Sequence, residues 1–276
     1  MAISTARRVR RAAAALSGAV LVLGLAACSD DGTGSASPAA GTTGAPAGTA
    51  TASGTQAAGE IKSTCHEGGD REVTVPGKGG ASTFAVGVGT GPRAVLLLHE
   101  AQQNHCRWMP FARALAARGG VQVWSVDSAA SSKSLSMGEN GSVDPSQDLV
   151  RMASYVRDHG ATEVVLAGAS MGGVGALVAG TPAGARKVAA LSAPTEYNAD
   201  AVAGARALRA PLLLMAGTED ADFLPAARTI AAAAKDAKVT LVPVPTAEHG
   251  TDMLPDGVPG QGGRPVAAIL TAFLLG

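Results

Sequence analysis

One pentapeptide constrains this chain more than any other feature. Gly168-Ala169-Ser170-Met171-Gly172 matches G-x-S-x-G, directly after the apolar run Val164-Val165-Leu166-Ala167 and directly before Gly173-Val174-Gly175-Ala176-Leu177-Val178. In a chain with 36 glycines the pentapeptide alone says little, so its setting decides. A strand that turns sharply into a helix, with small residues flanking a serine, is what the motif needs mechanically. The turn lifts the hydroxyl clear of the sheet edge. The helix N-terminus behind it offers free N–H groups and a positive dipole end to a developing oxyanion. Ser170 is the candidate nucleophile.

The surroundings repeat the strand–helix pattern. Ala94 to His99 is an apolar run without polar alternation, as expected of a strand buried on both faces. Trp108, Phe111 and Leu115 then recur with helical spacing, and Val121 to Asp127 reads as the next strand. A polar Ser- and Gly-rich loop runs to Val143, after which Asp144 or Ser146 can cap a helix ending near His159. His159 itself reads as a helix C-terminal cation. Val188 to Ser192, Pro211 to Met215 and Val239 to Val244 are further predicted strands, and Pro225 to Lys235 and Val266 to Leu275 further predicted helices. Thr83 to Gly87 reads as an earlier, antiparallel edge strand. Such alternation predicts right-handed βαβ units, hence a mostly parallel sheet with helices on both faces.

Together these residues resemble the α/β-hydrolase superfamily over about residues 80–276, and Leu98-His99-Glu100 resembles its dienelactone-hydrolase branch. The resemblance implies the α/β-hydrolase fold and a triad in the order Ser, acid, His. His249 is the only histidine after Ser170, and it follows the last predicted strand. The acid is expected after the Leu212–Met215 run, in Gly217-Thr218-Glu219-Asp220-Ala221-Asp222. Gly-x-x-Asp is the spacing such hydrolases use, so Asp220 is the choice, with Glu219, Asp222 and, more distantly, Glu196 as fallbacks. Its role is to fix the His tautomer and stabilise the imidazolium. Met171 N–H supplies one oxyanion donor, and the resemblance assigns the second to Ala101, with Gln102 next. In the dienelactone branch the Glu sits near the nucleophile, so Glu100 is a candidate site-lining residue. The alternative, a solvated loop carboxylate, stays open. Dienelactone hydrolases usually carry a Cys nucleophile, and Ser170 here removes any implied substrate.

The remaining chain speaks to location. Arg7, Arg8, Arg10 and Arg11 precede a Gly/Ala-rich apolar stretch from Ala12 to Ala27, too short for a stable span and suited to an export signal. Leu25-Ala26-Ala27-Cys28 resembles a bacterial lipobox, whose Cys would be acylated; ordinary secretion is the alternative. Residues 1–27 are thus expected to be a lipoprotein signal peptide, 28–60 a disordered Gly/Ala/Ser/Thr linker, and 61–276 the hydrolase domain. The linker lacks the apolar surface to offset its ordering entropy and would span roughly 30 Å on average. An exported chain with two further cysteines, Cys65 and Cys106, favours a disulfide between them over two buried thiols. Cys65-His66 and His105-Cys106 also read as a metal tetrad, which is disfavoured because usual zinc pairs lie about two to four residues apart.

The expectation is an exported serine hydrolase, anchored by lipid on the outer face of the cell membrane. It cleaves a small or exposed carboxylic ester through an acyl-enzyme and needs no metal or other cofactor. The rivals are an amidase or peptidase with the same triad, and a non-catalytic binding lipoprotein. Equal numbers of basic and acidic residues, 22 each, argue against nucleic acid as a partner.

Overall fold

A computed structural model of the protein describes residues 65–77, 81–128, 144–255, 258 and 260–276. The expected signal peptide, the linker and Cys28 lie outside these residues. Eight strands form one sheet: β1 (Arg71–Pro76), β2 (Ser82–Gly89), β3 (Arg93–Leu98), β4 (Val121–Val126), β5 (Glu163–Ala169), β6 (Lys187–Leu191), β7 (Leu212–Gly217) and β8 (Val239–Val244). Their spatial order is β1-β2-β4-β3-β5-β6-β7-β8. The pairs β1/β2 and β2/β4 are antiparallel, and all the others are parallel. The helices are α1 (Met109–Ala116), α2 (Ser146–Asp158), α3 (Met171–Ala179), α4 (Ala201–Ala207), α5 (Phe223–Ala233) and α6 (Val266–Leu275). This is the α/β-hydrolase fold.

Side chains alternate across each strand, so the unbroken apolar runs feed two cores at once. Leu96 and Leu98 of β3 join the core roofed by α2, α3, α4 and α5, with Leu149, Met152, Leu177 and Ile230. Val95 and Leu97 point the other way, to Phe111, Leu115, Leu270 and Leu274 of α1 and α6. Helix α3 is buried at every residue but Val178, which explains why its sequence is apolar on all sides.

Three elements, β1, β2 and α4, differ from the sequence reading. The predicted edge strand at Thr83–Gly87 is longer, Ser82–Gly89, and it is not the edge: β1 pairs outside it. Helix α4 was likewise unpredicted; Asp200 caps it by accepting from Ala203 N–H at 2.9 Å. It fills the stretch between Ser192 and Ala210, where no lid domain intervenes. Cys65 and Cys106 form a disulfide with Cα atoms 5.5 Å apart, fastening the segment before β1 beside the turn at His105–Arg107.

Candidate active site

Ser170 occupies the turn between β5 and α3 with φ 50° and ψ −117°. A non-glycine residue at positive φ costs about 1–3 kcal/mol and persists only where its surroundings over-determine it. Here Ser170 N–H donates to Leu191 O at 2.8 Å, and Ser170 O accepts from Gly173 N–H at 2.9 Å. The turn closes only because two positions lack a side chain. A Cβ on Gly168 would strike the backbone of Gly172, and one on Gly172 would strike the carbonyls of Leu98 and His99. These obstacles are backbone atoms of α3 and of the end of β3 and the loop after it, and they cannot swing away.

The candidate acid and base come from the loops after the last two strands. Thr218 N–H donates to Val244 O at 2.7 Å, and Glu219 N–H to Thr246 O at 3.1 Å, so the loops after β7 and β8 run together. The result puts Asp220 Oδ2 2.9 Å from His249 Nδ1. The other acids lie elsewhere: Glu219 is exposed, Asp222 stands at the start of α5 with no side-chain capping bond, and Glu196 forms an isolated backbone β-bridge with Asp200. Phe223 at the head of α5 sets its ring edgewise against the His249 imidazole, with centroids 4.3 Å apart. With Nδ1–H donated to Asp220, a neutral His249 carries its lone pair on Nε2. His249 and Ser170 line one cleft of about 200 Å³; among the described residues no hydrogen bond joins them.

Glu100 and Ala101 line the same cleft. Glu100 is buried, not a solvated loop carboxylate, and its Oε1 accepts from both the N–H and the hydroxyl of Thr251, each at 2.6 Å. Its Oε2 is buried without a hydrogen-bond partner. Gly250 lies close above it: a Cβ there would meet Glu100 Oε1 at 2.5 Å. Glu100 therefore holds the turn that immediately follows His249. Gln102 departs from expectation. It is exposed, with φ 61°, and Gln103 takes the position on the cleft wall. The turn at Gln102 inverts the direction of the chain there, which a residue count along the loop does not reveal.

Two contributors had no signal in the sequence. Arg107 and Asp252 both line the cleft and form an ion pair at 2.5 Å across 145 residues of chain. Beyond that pair lies a second hollow of about 400 Å³, walled by Pro110, Phe111, Leu254, Pro255 and Ala267. His99, two residues before Ala101, is buried; its Nδ1 donates to Glu100 O at 2.6 Å and its Nε2 accepts from Ser128 N–H at 3.0 Å. Both contacts suit a neutral ring, and burial pushes its pKa down despite the nearby Asp127 carboxylate.

No family model matches the chain, and no curated protein matches it. Solved structures do. An esterase from Exiguobacterium antarcticum is similar at 14% identity, with TM-score 0.59, over 74% of this chain and 99% of that one. A Pyrobaculum calidifontis esterase is similar at 16% identity, with TM-score 0.59, over 74% and 84%. A thioesterase domain from the curacin biosynthetic pathway is similar at 14% identity, with TM-score 0.54, over 75% and 99%. At these identities the likeness is one of fold.

Proposed function

We propose that the chain is a serine hydrolase acting on carboxylic esters. The observation that carries this reading is the His249–Asp220 contact of 2.9 Å in a cleft shared with the positive-φ Ser170. Ser170 Oγ attacks the acyl carbon and passes its proton to His249 Nε2, while Asp220 stabilises the imidazolium. Met171 N–H, the first amide of α3, and Ala101 N–H receive the oxyanion. The alkoxide leaves with the proton from His249, and water, deprotonated by the same nitrogen, releases the acid from Ser170. Esterase and thioesterase neighbours on the same fold support ester substrates. The buried Glu100 carboxylate beside Ser170 supports a position near the dienelactone-hydrolase branch. A small acyl or alcohol group fits the 200 Å³ cleft, and the apolar hollow past Arg107 and Asp252 can take a short hydrocarbon chain.

A fluorophosphonate probe should label the wild-type protein, and Ser170→Ala should abolish labelling together with p-nitrophenyl ester hydrolysis. Equal labelling of both would overturn the assignment. Preference for anilides over matched esters would indicate an amidase with the same triad, and an inert wild type a binding protein. The lipid anchor is proposed on the sequence alone. Membrane-bound activity that becomes soluble in Cys28→Ser supports it, since stable anchoring takes two acyl chains or one plus a second signal. A soluble wild-type protein with an unmodified N-terminus at or near residue 28 rejects it.

A further inference from the structure

Behind the cleft lies a polar cluster that the proposed reaction does not use. His66 and His105 meet with their Nε2 atoms 2.9 Å apart. Each ring is gripped on its far side by a carboxylate: His66 Nδ1 lies 2.5 Å from Glu72 Oε1, and His105 Nδ1 lies 3.1 Å from both oxygens of Asp127. The carboxylates hold the Nδ1 protons, so two neutral rings would aim two Nε2 lone pairs at each other. That is repulsive unless an electrophile lies between them. The Cys65–Cys106 disulfide adjoins the same spot, with Cys106 Sγ 3.7 Å from His105 Nε2. Ligand atoms of Cys65, His105 and Cys106 all fall within 4.8 Å of one another.

We propose that Cys65, His66, His105 and Cys106 form a latent Cys2His2 site for a thiophilic divalent cation such as zinc, closed by the disulfide and opened by its reduction. With Zn–S of about 2.3 Å and Zn–N of about 2.0–2.1 Å, a tetrahedral site puts sulfur about 3.6 Å from nitrogen and the two nitrogens about 3.3 Å apart. The 3.7 Å distance from Cys106 Sγ to His105 Nε2 already matches, and the two Nε2 atoms need part by only a few tenths of an ångström, while His66 must also close on the sulfurs, since only Cys65, His105 and Cys106 lie mutually within 4.8 Å. The larger motion is that of the two sulfurs, which move from bonded contact to about 3.8 Å in the same tetrahedron. Glu72 and Asp127 supply the carboxylate–histidine contacts that orient metal-binding imidazoles and raise their basicity. Neighbouring residues converge here because the two Cys-His pairs approach from opposite sides, one before β1 and one in the turn at His105–Arg107.

An external dithiol transfers two electrons and two protons to the Sγ–Sγ bond and becomes a disulfide itself. The cation then binds the two sulfurs as thiolates and releases their two protons, together with any proton shared between the imidazoles.

Cobalt(II) is the probe, read by absorbance on the full chain after anaerobic reduction and removal of the reductant. The expected result is one equivalent of tetrahedral cobalt with sulfur-to-cobalt charge transfer, absent from the oxidised protein and displaced by zinc. His66→Ala should lower affinity at least tenfold. Glu72→Gln, at a half-exposed position that leaves the fold intact, should lower it about 10–100-fold, as outer-shell losses do. Reduced wild type that yields no such spectrum overturns the proposal, as does a spectrum unaltered by either substitution or equally strong before reduction.

Discussion

Glu100→Ala tests whether the carboxylate beside Ser170 organises the base. The substitution removes the acceptor of two 2.6 Å hydrogen bonds and leaves the Thr251 N–H and hydroxyl buried without it. Hydrogen bonds to a charged group contribute about 1.5–3 kcal/mol each, so the pair is worth about 3–6 kcal/mol. Against this stands Oε2, buried with no partner, whose removal returns about 1–3 kcal/mol. The net destabilisation is about 0–5 kcal/mol, centred near 2.5 kcal/mol. Glu100→Gln keeps a carbonyl for Thr251 and loses only the charge, which roughly halves the strength of each bond, so it should fall between wild type and Glu100→Ala. The catalytic loss is separable from the loss of stability. Thr251 is two residues from His249, and a misplacement of about 1 Å can lower the rate about 10²-fold. Urea midpoints and kcat on p-nitrophenyl acetate, taken well below the unfolding transition, measure the two effects. A Glu100→Ala protein as stable as wild type with unchanged kcat would refute the reasoning.

Asp220→Asn should lower kcat by about 10⁴ with little change in KM, as loss of the correct tautomer does in other triads, while Glu219→Gln and Asp222→Asn stay within tenfold; a larger effect at either neighbour would reassign the acid. Burial holds the pKa of His99 below 6.5, so the unfolded chain binds a proton that the folded one refuses. Its stabilisation is complete above about pH 6.5 and is lost as pH falls toward the folded-state pKa, by at most about 1.4 kcal/mol per pH unit. Urea midpoints at pH 7.5 and 5.5 should therefore differ more for wild type than for His99→Gln, and equal differences would dismiss the effect. Replacing both Cys65 and Cys106 by Ser opens a loop with a sequence separation of 41, worth about 4 kcal/mol in the chain-entropy model; an unchanged melting temperature would show that the bond adds nothing.

The strands buried on both faces were legible because a parallel sheet needs no polar side: β3, β5 and β7 announce themselves as unbroken apolar runs. Ser170, Asp220 and His249 stand out in the sequence by their order and their positions just past strand ends, and the structure brings Asp220 to 2.9 Å from His249 and sets His249 and Ser170 on one cleft. Strand β1 was not, because Arg71-Glu-Val-Thr-Val-Pro is short, half exposed and closed by a proline, the marks of an edge strand and equally of a loop. Helix α4 hides in alanines and a glycine that carry no amphipathic contrast. The link from Glu100 to Thr251 spans 151 residues and the Arg107–Asp252 pair 145, and nothing local at either end records such a partner. Ligand spacing disfavours a convergence of His66 and His105, but spacing is a rule for one chain segment and does not cover two segments brought face to face by a disulfide.

The mounting of the proposed triad bears on its kinetics. Ser170 is fixed to α3, the most deeply buried helix, whereas Asp220 and His249 ride on two surface loops bonded to each other. Such a machine has two bodies and one joint. Its activity depends on how the acid–base body docks on the nucleophile body, and the Glu100–Thr251 contacts are the latch between them. Heating should then release the latch before it melts the sheet, so that turnover fades reversibly at temperatures where the far-ultraviolet dichroism is still native.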